Sequence, residues 1–283
     1  MTAPQGWQLR VEHITRFVYP EPAHASYNET RLTPLTTATQ TTVESRVRTL
    51  PPVGQQRYWD YWGNIVIAFD VPDAHDELSV TGTSTVETHP DGKRPRAGWE
   101  RFRDPRTLDR FAELLAPTAL TALPDELTEE CDRLRATADP VTATKEAVRA
   151  VHSKLRYQRG GTDTMTTAAD AWAAGQGVCQ DFVHLTLSIL RCVGIPSRYV
   201  SGYVHPSAKA VAGETVDGES HAWVEAWTGD WWGIDPTNDV LAGHRHVIVA
   251  RGRDYADVPP IKGVYAGPAH QQMAVKVRVT RVR

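Results

Sequence analysis

The chain has 283 residues, of which 41% are hydrophobic and 23% are charged. This composition is that of a globular protein with enough apolar residues for a core, and the length suits two domains. A formal net charge of −3 argues against the strongly basic surface that nucleic acids or anionic membranes attract. We therefore expect neither a nucleic-acid nor a membrane partner.

The cysteine content indicates the compartment. Three cysteines, Cys131, Cys179 and Cys192, are too few and too scattered for a disulfide framework, and an odd number suits a reducing environment. The first residues mix charges such as Arg10 with apolar side chains, which argues against a signal peptide. No stretch approaches the roughly 18 apolar residues of a membrane helix. The sequence predicts a soluble, cytoplasmic protein.

The first ninety residues alternate polar and apolar side chains, a pattern typical of strands with one buried face. Short strands at this spacing predict an all-β, sandwich-like N-terminal domain. Residues 89–99 contain proline, glycine and charge without periodicity, so we place the boundary between domains 1–95 and 96–283 there. The predicted strands are residues 7–20, 41–50, 64–72 and 77–89.

Helical patterns follow, and they predict an α+β second domain. A cap and a proline open a helix at 104–115, and one apolar stripe predicts another at 142–157. Residues 182–193 are apolar nearly all round, so this helix is buried, and it ends at Gly194. We expect the last predicted strand, 273–283, to pack back on the N-terminal β region. The strands after the buried helix are residues 197–204, 221–227, 231–236, 246–252 and 273–282.

Cys179 stands just after Gly177, where the buried helix begins. A free cysteine usually acts as a small hydrophobic residue, and that interpretation suits Cys131 and Cys192. The N–H groups at a helix start, however, are unpaired and carry partial positive charge. They favour a thiolate over a thiol and can also hold an oxyanion. We therefore predict that Cys179 is a nucleophile.

A predicted hairpin supplies a base and a carboxylate. Two strand-like segments flank Thr228-Gly229-Asp230. If this turn has three residues, His221 and Asp235 are diagonal neighbours on one face. The carboxylate then fixes the imidazole and leaves its other nitrogen for the thiol. With a two-residue turn Asp235 lies on the opposite face. An exposed hairpin with a surface histidine, or a plain tryptophan-lined core, remains the alternative.

Three segments in this order, GVCQDF, HAWVE and DPTN, resemble the motifs of the bacterial transglutaminase-like superfamily. The N-terminal segments VEHITRFVY, NETRLTPL and DYWGNIVIAFDVP are similar to the β-rich region of one branch, so the resemblance covers nearly the whole chain. It implies a papain-like α+β core and a catalytic triad of Cys179, His221 and Asp235.

The resemblance favours a cysteine peptidase or amidase, which hydrolyses peptide, isopeptide or other amide bonds through an acyl-enzyme. The expected partner is a peptide or protein substrate. Two alternatives remain open. Transfer of the acyl group to an amine would make the protein a true transglutaminase, and the chain could instead be a non-catalytic peptide-binding module.

A metal site is a further alternative. Cys179, Asp181 and His184 are close in sequence, and His244 and His246 offer two more imidazoles. Cys179 and His184 are five residues apart, however, which aligns poorly on one helix face, and neither Cys-x-x-Cys nor His-Glu-x-x-His occurs. No glycine-rich phosphate loop follows a strand. We expect neither a metal nor a cofactor.

Overall fold

The structure is a computed structural model that describes residues 6–89, 96–268 and 271–283. Its elements form an α+β protein with a β-rich N-terminal region, as predicted. The strands are β1 (Gln8–Thr30), β2 (Gln40–Leu50), β3 (Gln55–Trp59), β4 (Ile65–Val71), β5 (His75–Thr88), β6 (Arg156–Tyr157), β7 (Gln176–Gly177), β8 (Ser197–Val204), β9 (Thr215–Gly218), β10 (His221–Trp227), β11 (Trp231–Asp235), β12 (Val240–Leu241), β13 (His246–Gly252), β14 (Ile261–Ala266) and β15 (Gln272–Arg281). The α-helices are α1 (Pro105–Arg110), α2 (Ala112–Leu115), α3 (Thr128–Arg135), α4 (Pro140–Lys154), α5 (Ala168–Ala174) and α6 (Cys179–Val193).

β1 belongs to both parts of the N-terminal β structure. Its residues 9–18 pair with β5 and β15, and its residues 26–30 pair with β4 and β14. The register shifts between Val18 and Ala23, where Pro20 and Pro22 lie. The predicted end of this strand at Pro20 was wrong, because a bulge tolerates residues that cannot donate to the ladder. Apolar side chains from both parts meet in one core, which includes Phe17, Phe69 and Leu78.

Strands from the last third of the chain complete the N-terminal sheet. β15 lies beside β1, and β9 pairs with the outer side of β15, so that the order is β2-β5-β1-β15-β9. β9 lies in the segment that connects β8 to β10. The expected boundary at 89–99 falls in part on residues 90–95, which lie outside the described residues.

A second sheet, β12-β11-β10-β8-β13, lies between the N-terminal sheet and the helices. On one side Tyr203 and Val247 pack with Leu9 and Val11 of β1. On the other side the small residues of β10, with Val224 at their centre, pack against α6 in the largest apolar core. This layering buries α6 nearly all round, as its sequence predicts.

The helix bounds show where tertiary contacts override local signals. The predicted helix 104–115 is interrupted at Phe111, whose ring packs against Trp227 at 4.9 Å between centroids. The helix predicted at 142–157 begins earlier, at Pro140, because Asp139 caps it by accepting the Thr142 N–H at 3.0 Å. In the described residues, no helix is both long and apolar enough to cross a membrane.

Candidate active site

Cys179 is the first residue of α6, as predicted. α5 ends at Gly175, whose φ of 63° is a left-handed conformation that glycine adopts without strain. The short strand β7 follows and runs parallel to β6. Gly175 and Gly177 thus lie in the turn between α5 and α6. The thiol of Cys179, at the N-terminus of α6, is partly exposed.

Asp181, in the first turn of α6, fixes the backbone ahead of the thiol. Its carboxylate accepts the Val178 N–H and the Thr162 hydroxyl, each at 2.7 Å. Burial raises the pKa of Asp181, and these two hydrogen bonds oppose that rise. A Cβ on Gly177 would lie 2.6 Å from the Asp181 side chain, so glycine is needed for this approach. Sequence reasoning considered Asp181 only as a metal ligand, although an acidic residue three positions after a helix cap is a signal for this role.

Gly177→Ala is expected to destabilise the protein by about 1–3 kcal/mol, because the added methyl group displaces the Asp181 carboxylate from the Val178 N–H. The same displacement loosens the helix start and should slow alkylation of Cys179. Thermal unfolding and the alkylation rate with iodoacetamide measure the two effects. Gly54→Ala is the matched control, since a Cβ there meets nothing within 4 Å. Equal melting temperatures and rates in the two variants would contradict the argument.

The β10–β11 hairpin has the register that the triad requires. Trp227 pairs with Trp231 and Glu225 with Gly233, so the turn has three residues, which is the alternative that the His–Asp partnership needs. This register carries His221 and Asp235 to the same face. His221 Nε2 donates to Asp235 Oδ2 at 2.7 Å.

Asp235 is wholly buried and held by several donors. Asn238 Nδ2 donates to Oδ2 at 2.7 Å, and the backbone N–H groups of Thr237 and Asn238 donate to Oδ1 at 3.0 and 3.2 Å. Burial would raise the pKa of Asp235. The hydrogen bond from His221, the contact with His246 and the Asn238 amide outweigh it and hold the pKa well below its usual range. Sequence reasoning missed Asn238, although asparagine three residues after the carboxylate in a turn is a recognisable signal.

His221 connects the carboxylate to the thiol. Its Nε2 donates to Asp235, so Nδ1 is the nitrogen left for the Cys179 sulphur, which lies close enough to affect the ring. Burial would lower the pKa of His221, but hydrogen bonds with Asp235 and Cys179 and their charges raise it from 6.5 to about 10. The ring is therefore a cation at neutral pH. The structure thus brings together all three residues that the sequence assigns to the triad.

A cleft of about 610 Å³ opens beside His221 and Asp235. One wall includes Tyr157 and Arg159, and the other consists of residues 216–220 of the β9 segment, with Val279 of β15 behind them. Arg159 and Glu219 form an exposed ion pair of 3.5 Å between the walls. The N-terminal sheet therefore supplies part of the surface of the cleft beside His221 and Asp235.

Two other residues weighed for a metal, His184 and His244, are held by other contacts. His184 is completely buried in α6, where its Nε2 accepts the Tyr255 N–H at 3.2 Å and burial lowers its pKa to about 4. The His244 ring packs against Trp7 at 4.8 Å. Within the described part of the chain, no three His, Cys, Asp or Glu side chains are grouped as metal ligands.

Comparisons with known proteins identify relatives over nearly the whole chain. Residues 9–87 match the family profile of the bacterial transglutaminase-like N-terminal region, and residues 129–236 match that of the transglutaminase-like superfamily. An uncharacterised protein of Mycobacterium leprae is 46% identical over 98% of this chain and 99% of its own. An uncharacterised protein of Mycobacterium tuberculosis is 32% identical over 96% of this chain and 92% of its own.

A solved structure shares the fold. The crystal structure of a candidate cysteine protease from Cytophaga hutchinsonii superposes with a TM-score of 0.76 at 20% identity, over 96% of this chain and 90% of that one. Cys179, His221 and Asp235 all fall inside the segment that matches the superfamily profile.

Proposed function

The chain belongs to the transglutaminase-like superfamily, and from this premise we propose that it is a thiol-dependent acyl-transfer enzyme. Its nucleophile is Cys179, its acid and base is His221, and its orienting carboxylate is Asp235. The proposal rests on one observation. The Cys179 sulphur lies at a helix N-terminus, and the buried, positively charged imidazole of His221 interacts both with this sulphur and with the hydrogen-bonded carboxylate of Asp235. This is the arrangement that nucleophilic catalysis at a carbonyl requires.

In the first step the Cys179 sulphur attacks the carbonyl carbon of an amide, and the electron pair of the C=O bond moves to oxygen. The Cys179 N–H at the start of α6 points towards the resulting oxyanion. Gln180 directly follows Cys179, and its Nε2 uses one of its two N–H groups to donate to the Asp163 carbonyl at 3.3 Å. We assign stabilisation of the intermediate to backbone N–H groups of the first helical turn.

In the second step His221 gives its proton to the leaving nitrogen as the C–N bond breaks, and a thioester acyl-enzyme remains. Neutral His221 then takes a proton from water, which attacks the thioester and releases a carboxylic acid and the thiolate. The proposed activity is hydrolysis of peptide or isopeptide bonds. A cleft of about 610 Å³ with both basic and acidic side chains on its walls suits an extended peptide.

The experiment is incubation of the full-length protein with a peptide library, with and without a primary amine, followed by mass spectrometry of peptides and protein. We expect free-acid products and an acyl adduct on Cys179 that disappears in Cys179→Ala. Products that carry the amine would overturn hydrolysis in favour of transamidation. Turnover that survives in Cys179→Ala would overturn the acyl-enzyme altogether.

We place the reaction in the cytoplasm. Cys131, Cys179 and Cys192 are all free thiols, and a reducing compartment keeps a nucleophilic thiol in its reactive form. Fractionation of cells that express the tagged protein tests this location.

A further inference from the structure

A second histidine approaches the carboxylate of the triad. His246 is the first residue of β13, its side chain is 3% exposed, and its ring packs edge-on against Trp223 at 5.1 Å between centroids. Its Nε2 lies 3.6 Å from Asp235 Oδ2, the same oxygen that His221 contacts at 2.7 Å. One carboxylate oxygen thus faces two imidazoles.

The tautomer of His246 follows from its other contact. The Gly243 N–H donates to His246 Nδ1 at 3.2 Å, so Nδ1 is the acceptor and the neutral ring carries its hydrogen on Nε2. That N–H points at Asp235 across 3.6 Å, which is longer than a formed hydrogen bond. Among the described residues, Nε2 has no hydrogen-bond partner. A buried donor of this kind gains free energy from any shift that brings it closer to the carboxylate.

We propose that His246 is a positioning residue for the catalytic carboxylate: its Nε2–H restrains Asp235 Oδ2 and shares its negative charge while His221 changes protonation state. When His221 gives up its proton to the leaving group, Asp235 loses a cationic neighbour, and the neutral donor of His246 remains. This inference rests on the proposed function, because it assigns a role only if His221 and Asp235 are catalytic.

The surroundings keep His246 in its neutral, donating form. The titratable and charged groups that face it are Asp235, His221, Arg245 and His244. Burial lowers the pKa of His246, more than the contact with Asp235 raises it, and the charges of His221 and Arg245 lower it further. His246 therefore stays uncharged over the range in which His221 is a cation.

His246 also lies between two cavities. Its ring lines both the catalytic cleft and a second cavity of about 450 Å³, whose walls include the ion cluster of Arg198, Glu225 and Arg251.

The test compares His246→Leu, His246→Asn and His246→Gln in the full-length protein. Leucine removes both contacts of the ring, asparagine keeps an acceptor near the Gly243 N–H, and glutamine restores an N–H near the position of Nε2. Ile248→Val is the matched control, because Ile248 packs in the same cluster with Trp223 but contributes no donor. The readout is the rate of Cys179 alkylation by chloroacetate from pH 5 to 11, mapped by mass spectrometry.

In the wild-type protein the alkylation rate should fall at high pH as His221 loses its proton, and this fall is the high-pH limb of the profile. In His246→Leu and His246→Asn the midpoint of this limb should shift to higher pH by about half a unit or more, because Asp235 loses a competing donor. His246→Gln should restore the wild-type limb. With a substrate in hand, kcat should fall about tenfold with little change in KM. Ile248→Val should lower the melting temperature and leave the limb in place.

Two results overturn the inference in different ways. If the wild-type profile shows the high-pH limb, and the limb lies at the same pH in His246→Leu and His246→Asn, then His246 does not position Asp235. The proposed triad is unaffected by this result. A wild-type Cys179 that alkylates no faster than Cys192 and shows no such limb overturns the proposed function, and the role of His246 with it.

Discussion

Cys179→Ala is expected to lower kcat for amide cleavage by about 10⁶-fold, since loss of the nucleophile costs about as much as loss of the whole triad. The physical reason is that His221 and Asp235 act on a substrate only through the sulphur or through a water that attacks the acyl-enzyme. The measurement is turnover of a substrate from the peptide library, together with the intact mass of the protein, which should show no acyl adduct.

Cys192→Ala is the control for this loss. Cys192 lies near the opposite end of the same helix and is also partly exposed, so its substitution tests a thiol of the same exposure class away from the cleft. It should retain wild-type turnover. Equal losses in the two variants would mean that a damaged α6, and not the missing nucleophile, explains the effect.

Asp235→Asn is expected to lower kcat by about 10³–10⁴-fold, as removal of the carboxylate does in other catalytic triads. Asparagine keeps the size of the side chain but removes the charge that holds His221 as a cation. The pKa of His221 should therefore fall from about 10, since Asp235 contributes both a hydrogen bond and an opposite charge. KM should change little, because Asp235 forms only a small part of the cleft wall.

Asp217→Asn provides the matched control. Asp217 lines the same cleft but is exposed and paired with Arg278 at 3.2 Å, so its loss should alter turnover only slightly. If Asp235→Asn retained turnover within tenfold of wild type, His221 would not depend on a carboxylate, and the proposed triad would reduce to a pair.

The parts of the fold and site that could be predicted from the sequence rest on local patterns. The start of α6 at Cys179 follows from the glycines before it and the apolar residues after it. The register of the β10–β11 hairpin is one of two that the sequence allows, because alternation fixes which side chains share a face only once the length of the turn is known. Both signals are local, and within one such segment the geometry of helices and strands fixes the relative positions of side chains.

The rest depends on contacts between distant segments. β9 is four residues long and has no clear alternation, and it forms because β15, about sixty residues later, offers it an edge. His246 could be weighed only as a possible metal ligand, since its approach to Asp235 follows from the order of strands in the second sheet. Phe111 interrupts a predicted helix because its ring packs on Trp227 of β10, which no local pattern shows.

The structure also connects the N-terminal region to the chemistry. β9 pairs with β15 of the N-terminal sheet, and three residues after its end the chain reaches His221. The segment that leads to His221 is therefore anchored in the N-terminal sheet. Through β9, this sheet holds part of the cleft beside His221 and Asp235.

The pH dependence of Cys179 alkylation by chloroacetate in the wild-type protein tests the central claim most directly. An anionic reagent reacts fast only while the thiolate is paired with the His221 cation. Since the pKa of His221 is raised to about 10, the rate should stay high through neutral pH and fall as the pH rises through that value. His221→Ala should lose this behaviour. A rate for Cys179 that simply rises with pH, in parallel with that of Cys192, would contradict a thiolate–imidazolium pair.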